Sequence, residues 1–154
     1  MGQSLAQIYL HLIFGTKWQK PLLDPGISLE LFPDMISIMR SLECPVLAVN
    51  GTDDHVHILF KLSKKIALST AVEKVKSNSS GWIKKKDRKY TQFYWQNGYG
   101  AFSIGQSGVK DLKRYIASQR EHHKVKTFKE EFLEFLKAYK LEYDEKYLWD
   151  DEFA

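Results

Sequence analysis

Cysteine is nearly absent from this chain: a single Cys44 in 154 residues cannot close an internal disulfide, so a reducing, cytoplasmic setting is expected. No run of about 18 apolar residues occurs, which argues against a helix spanning a bilayer. The first residues lack the basic-then-apolar pattern of a secretory leader. No Gly-x4-Gly-Lys-Ser/Thr phosphate loop is present, so chemistry driven by nucleotide hydrolysis has no cradle here. Internal repeats and low-complexity segments are also missing, and residues 1–154 read as one domain.

What is present suits a globular core: 44% hydrophobic and 14% aromatic residues exclude a disordered chain. The net charge of +4 is unevenly spread. Residues 61–89 hold ten Lys/Arg against Glu73 and Asp87, giving +8, whereas residues 128–154 hold four basic and nine acidic residues, giving −5. The basic middle reads as a surface for a polyanion. The acidic end reads as plain soluble exterior.

Periodicity orders the chain. Residues 4–17 alternate as a strand, with Ile8, Leu10, Leu12 and Phe14 on one face and Gln7, Tyr9, His11 and Ile13 on the other. Pro21, Pro25 and Gly26 predict a turn, and apolar spacing predicts a helix over 29–42. Two short apolar runs, 44–49 and 55–62, flank Asn50-Gly51, a hairpin signal. A second helix is expected over 66–86, then an aromatic, β-prone stretch over 90–104. A Gly105-Gln-Ser-Gly108 link, a candidate hinge, leads to helices over 109–123 and 128–139. The order β-α-β-β-α-β predicts an α+β sandwich of the ferredoxin-like or RNA-recognition type. In it an antiparallel sheet carries helices on one face, with a C-terminal catalytic helix added.

Two places carry chemistry. In His55-Val56-His57 the imidazoles stand at i and i+2 of a strand and so share a face. On the helix over 109–123, Leu112, Tyr115, Gln119 and His122 fall in one stripe, flanked by Lys113, Arg114 and Arg120. If that stripe covers the histidine pair, His55, His57 and Gln119 offer three neutral ligands beside a phenol. Such a site, with no acid in it, suits a loosely held Mg²⁺ or Mn²⁺ completed by substrate phosphate oxygens. A phenol is a weak nucleophile at neutral pH unless its target is polarised. Its phosphodiester product would conserve the energy of the bond cut, so an enzyme of this kind could cut and rejoin strands without ATP.

These residues give the chain a close resemblance to the single-tyrosine His-hydrophobic-His transposases of small bacterial insertion sequences that move as single-stranded DNA. The resemblance runs through His11–Lys17, Asn50–His57, Lys76–Ser80, Trp95–Ser103 and Arg114–Gln119. It implies Tyr115 as the nucleophile, leaving a 5′-phosphotyrosine and a free 3′-hydroxyl, with His55, His57 and Gln119 holding Mg²⁺ or Mn²⁺. It implies recognition of hairpins near element ends and a homodimer in which the tyrosine helix of one subunit serves the other. The setting would be the bacterial cytoplasm, on the nucleoid when acting. Domesticated copies that process repeated palindromes belong to the same family.

Lys74, Lys76, Lys84, Lys85, Lys86, Arg114 and Arg120 are the expected DNA-backbone contacts. Trp95, with Trp82 and Tyr99, would stack on unpaired bases. His122 and His11 are expected behind the ligands, His11 chiefly as packing. The competing reading is a non-catalytic single-strand-binding module, which has no use for the Tyr115–Gln119 stripe. A two-histidine phosphoesterase is disfavoured because its repeated His-x-Ser/Thr motif is absent.

Overall fold

Strands β1 (Tyr9–Gly15) and β3 (His55–Lys61) form the middle of a four-stranded sheet in the computed structural model, which describes residues 2–149. They run antiparallel, with Ile13 opposite His57 and Gly15 opposite His55. β2 (Val46–Gly51) flanks β3 and β4 (Gly100–Ile104) flanks β1, so the order is β2-β3-β1-β4 with every neighbour antiparallel. Helix α1 (Pro25–Ser41) joins β1 to β2, and α2 (Leu68–Lys84) joins β3 to β4. This is the expected ferredoxin-like sandwich. Gly51 is required in the β2–β3 hairpin, since a Cβ there would lie 2.1 Å from the His55 carbonyl oxygen.

Side-chain alternation gives the two faces of the sheet different work. Leu10, Leu12 and Phe14 of β1, with Val56, Ile58 and Phe60 of β3, meet Leu31, Met35 and Met39 of α1 and Val72, Val75 and Ile83 of α2 in one apolar core. The opposite face carries His11, Ile13, His55, His57 and Leu59. It is covered by α3 (Val109–Ala117), the short α4 (Gln119–His122) and α5 (Phe128–Ala138). A final turn, α6 (Glu145–Leu148), follows; residues 150–154 of the acidic stretch lie outside the described residues.

Three elements differ from the periodicity. α1 begins at Pro25 rather than near Leu29, because Asp24 caps it, accepting from the Ile27 N–H at 2.9 Å, and proline loses nothing in a first turn. Of the aromatic stretch 90–104, only Gly100–Ile104 is a strand. Tyr90, Phe93 and Trp95 are buried as plugs in the core, joined to the sheet by one bridge between Thr16 and Trp95. The helix expected over 109–123 breaks at Ser118, whose hydroxyl donates back to the Arg114 and Tyr115 carbonyls and competes with the helical ladder.

Candidate active site

The break at Ser118 leads straight into Gln119, which is fully buried against β3, its Oε1 3.2 Å from His55 Nε2. Tyr115, one turn earlier, is half-buried, with its ring 5.9 Å from that of His57 and stacked at 4.6 Å on His122. His122 in turn meets the Ser118 hydroxyl at 3.0 Å. The expected meeting of phenol, amide and twin imidazoles therefore occurs, and within one chain.

At its centre sits a group absent from the sequence-based ligand set. Glu131 of α5 is 1% exposed, and its Oε1 lies 2.9 Å from His57 Nε2, 3.3 Å from His55 Nε2 and 3.1 Å from His123 Nε2. Its Oε2 accepts from the Tyr115 hydroxyl and, at 3.3 Å, from Gln119 Nε2. The expectation of a site without an acid is thus corrected, and the acidic stretch is not wholly exterior. Its signal was a carboxylate on the apolar stripe of α5, between Phe128 and Phe135 and beside Phe132. His123 gave no such signal beyond lying next to His122.

The hydrogen bonds fix the ring states. A carboxylate only accepts, so His57 Nε2 carries the proton it donates to Glu131. The bare Nδ1 of His57 then accepts from His11 Nε2 at 2.8 Å, leaving buried His11 Nδ1 without a partner. His11, expected chiefly as packing, thus orients a candidate ligand. Burial, outweighing the carboxylate, lowers His57 to about 4; burial and the neighbouring His57 lower His11 to about 3, and both are neutral near pH 7. His55 differs. Burial opposes its charge, but Asp54 at 2.7 Å and Glu131 outweigh it and raise its pKa. Glu131 is pulled the other way: burial would raise it, yet the imidazoles of His123, His55 and His57 gathered around it hold it below the ordinary carboxylate range. Burial and Glu131 together keep the Tyr115 phenol protonated well above its usual range.

The donor set fits a divalent cation. One nitrogen from each of His55, His57 and His123 and one oxygen of Glu131 lie within 4.8 Å of one another. His123 Nε2 is buried and makes no aligned hydrogen bond despite its nearness to Glu131, the state of a nitrogen lacking its acceptor or ion. Three imidazoles with a carboxylate suit Mn²⁺ or another transition ion better than oxygen-loving Mg²⁺. A cleft of about 520 Å³, lined by Asp54, Arg120, His123, Lys124 and Lys126 among others, opens beside this cluster.

The expected DNA contacts divide. Arg120 lines that cleft, its guanidinium donating to Asp53 at 2.8 Å. Arg114 is exposed on α3, 3.5 Å from Asp111. Lys74, Lys84, Lys85 and Lys86 sit on or just beyond α2, in the layer behind the sheet from the histidines. Lys84 lies over the Tyr94 ring, and Lys86 pairs with Glu30 and covers Trp82. Lys76 is a correction: its ammonium donates to the Gln96 and Gly98 carbonyls, both at 2.7 Å, and so serves the fold. Trp95 is a second correction. It is 7% exposed, packed edge-on against Phe14 and Phe93, and donates Nε1–H to Ser79, so it is no open stacking platform. Gly105 and Gly108 have ordinary negative φ, so the observed link does not itself demand glycine.

The sequence matches the model of the family described as IS200-like transposases over residues 4–119, more than half of the chain. No curated protein matches it. Among solved structures it is similar to a protein assigned as a transposase in Deinococcus radiodurans R1, with 18% identity and a TM-score of 0.59, over 77% of this chain and 96% of that one. It is also similar to a REP-associated tyrosine transposase bound to a REP hairpin, with 14% identity and a TM-score of 0.59, over 80% of this chain and 74% of that one. At such identities these two likenesses establish the shared fold alone. The matched family model, spanning both the histidine pair and the tyrosine helix, shows that the chain belongs to the IS200-like transposase family.

Proposed function

We propose that the chain cuts and rejoins single-stranded DNA at element ends through a covalent bond to Tyr115. The observation that carries this reading is a buried cluster in which one carboxylate, Glu131, touches both the phenol and the His57 imidazole. His55, His57, His123 and Glu131, with Gln119 beside them, would hold a divalent ion. When bound, that ion supplies charge neutralisation to the scissile phosphodiester. Tyr115 Oη attacks phosphorus and its proton passes to the carboxylate it already contacts; the P–O3′ bond breaks, and that same proton is handed on to the 3′-oxygen, which leaves as a hydroxyl. Rejoining is the reverse, with a 3′-hydroxyl displacing the tyrosine.

Other residues of the chain position these groups. For His57 to aim a lone pair at an ion, its proton moves to Nδ1, and His11 shifts its own proton from Nε2 to the unpartnered Nδ1 so that Nε2 accepts. His122 holds the phenol ring by stacking. Phe128 lies parallel to His55 at 4.5 Å and shields the cluster from water. The basic side chains of the cleft, Arg120, Lys124 and Lys126, line a path for the strand. A single-strand-binding module would have no need of a phenol bonded to a buried carboxylate.

Hairpin DNA from element ends, in the bacterial nucleoid, is the proposed substrate; the hairpin-bound REP transposase shares this fold. Labelled single-stranded DNA from the flanks of the gene, incubated with Mn²⁺, should give a denaturation-resistant complex. Tyr115→Phe should bind the DNA but form no complex, and an adduct persisting in that variant would refute the role. The resemblance implies a homodimer with exchanged tyrosine helices, whereas Tyr115 here already reaches its own His57. Mixing Tyr115→Phe with His57→Ala separates the two arrangements: restored cleavage establishes exchange between subunits, and absent cleavage establishes that Tyr115 serves its own His57.

A further inference from the structure

Two motifs that strand transfer leaves unused, Lys76-Ser-Asn-Ser-Ser80 on α2 and Trp95-Gln-Asn-Gly-Tyr99 before β4, face each other across a groove of about 400 Å³. That volume is in the range of a small-ligand site. The groove lies at the end of the sheet where the histidine pair begins: the Gln96 N–H donates to the Gly15 carbonyl, and Gly15 pairs with His55.

The walls are unsuited to a phosphate. Among the described residues lining the groove, Lys76 is the one cation, and its ammonium is bound to the Gln96 and Gly98 carbonyls and lies over the Phe14 and Tyr99 rings. Glu73, exposed on the rim, would repel an anion. The walls do suit a flat heterocycle. The Tyr99 ring, 37% exposed, supplies the stacking surface, with buried Trp95 held rigidly beneath by its bond to Ser79. Ser77 and Asn97 add groups that both donate and accept.

Such a site reads a base by stacking and by its Watson–Crick edge. A carboxylate accepts two parallel N–H groups best, and guanine offers that pair at N1 and N2. Adenine and cytosine offer one amino group beside an acceptor, and thymine sets its single N–H between two carbonyls. We propose that the groove holds one unpaired guanine of the DNA strand, stacked on Tyr99 with its Watson–Crick edge on Glu73. This rests on the strand-transfer reading and names a specificity site for it.

The test uses the full chain in EDTA, so that binding is read without cleavage. Fluorescence anisotropy compares a short oligothymidylate with the same strand carrying one central guanine, adenine or cytosine. The guanine strand should bind about tenfold tighter than the all-thymine strand, the scale of one bidentate base contact. Glu73→Gln and Tyr99→Ala should each remove most of that gain, and Tyr99→Phe should keep it. Equal binding of all four strands, or a guanine preference surviving both Glu73→Gln and Tyr99→Ala, overturns the proposal. The Tyr115 adduct is scored separately in Mn²⁺: an adduct without guanine preference removes the groove and spares strand transfer. Guanine preference without an adduct supports the groove and removes strand transfer.

Discussion

The two faces of the central strands are built from interleaved residues yet follow opposite rules. Behind the sheet, Leu12, Phe14, Val56, Ile58 and Phe60 are closed into a dry core by α1 and α2. In front, His11, His55 and His57, equally buried, are held through polar partners: Asp54, Thr52, Gln119, Glu131 and one another, with His11 Nδ1 left unpartnered. One residue of register separates a side chain held by the hydrophobic effect from one held by a polar network. The difference teaches that the back face sets stability and the front face spends its burial on tuning charge.

Adjacent substitutions in β3 should separate these roles. Ile58→Ala, on the back face, should cost about 2–5 kcal/mol of stability from lost transfer and a residual cavity. Cleavage per folded molecule should be nearly unchanged. His57→Ala, one residue away, should lower metal-dependent cleavage more than about 100-fold, since even groups behind a metal ligand are worth 10–100-fold. Denaturant unfolding with a single-turnover cleavage assay reads both. Equal cleavage losses in the two variants would erase the distinction.

The pH response should come from the front face. Buried His57 and His11, lowered to about 4 and about 3, stay neutral where an unfolded histidine, near 6.5, takes up a proton. The unfolded state therefore binds more protons below that pH, and stability falls as pH drops from about 6.5 toward 4. His55 has the opposite sign: its raised pKa adds stability that is complete below its unfolded pKa and is lost as pH climbs through the folded one. With two lowered histidines against one raised, the melting temperature should decline on acidification through this window. Cleavage should fade as pH falls through the raised pKa of His55, because a protonated imidazole cannot ligate metal. Activity that stays flat to pH 5 would contradict ligation by His55.

Much of this arrangement was legible in the sequence, for identifiable reasons. Alternation in residues 9–15 and 55–61 and the Asn50-Gly51 turn are local signals, and they placed His55 and His57 on one face. The Tyr115–Gln119 stripe survived even though its helix breaks at Ser118, because the break leaves both side chains directed at β3. What escaped was set by long-range packing. Nothing local to residues 90–95 distinguishes a strand from a plug of aromatics, so Trp95 read as surface. Lys76 read as a free cation because its carbonyl partners lie about 20 residues away. Glu131 was counted as exterior charge, although its place on the apolar stripe of α5 marked it as buried.

Peptide mass mapping of the trapped DNA complex tests the central claim most directly. After nuclease and protease digestion, the peptide containing Tyr115 should carry a nucleotide phosphate on the tyrosine, dependent on the divalent ion. A phosphonucleotide found on any other residue, or no modified peptide from DNA that has been cut, would contradict Tyr115 as the attacking group.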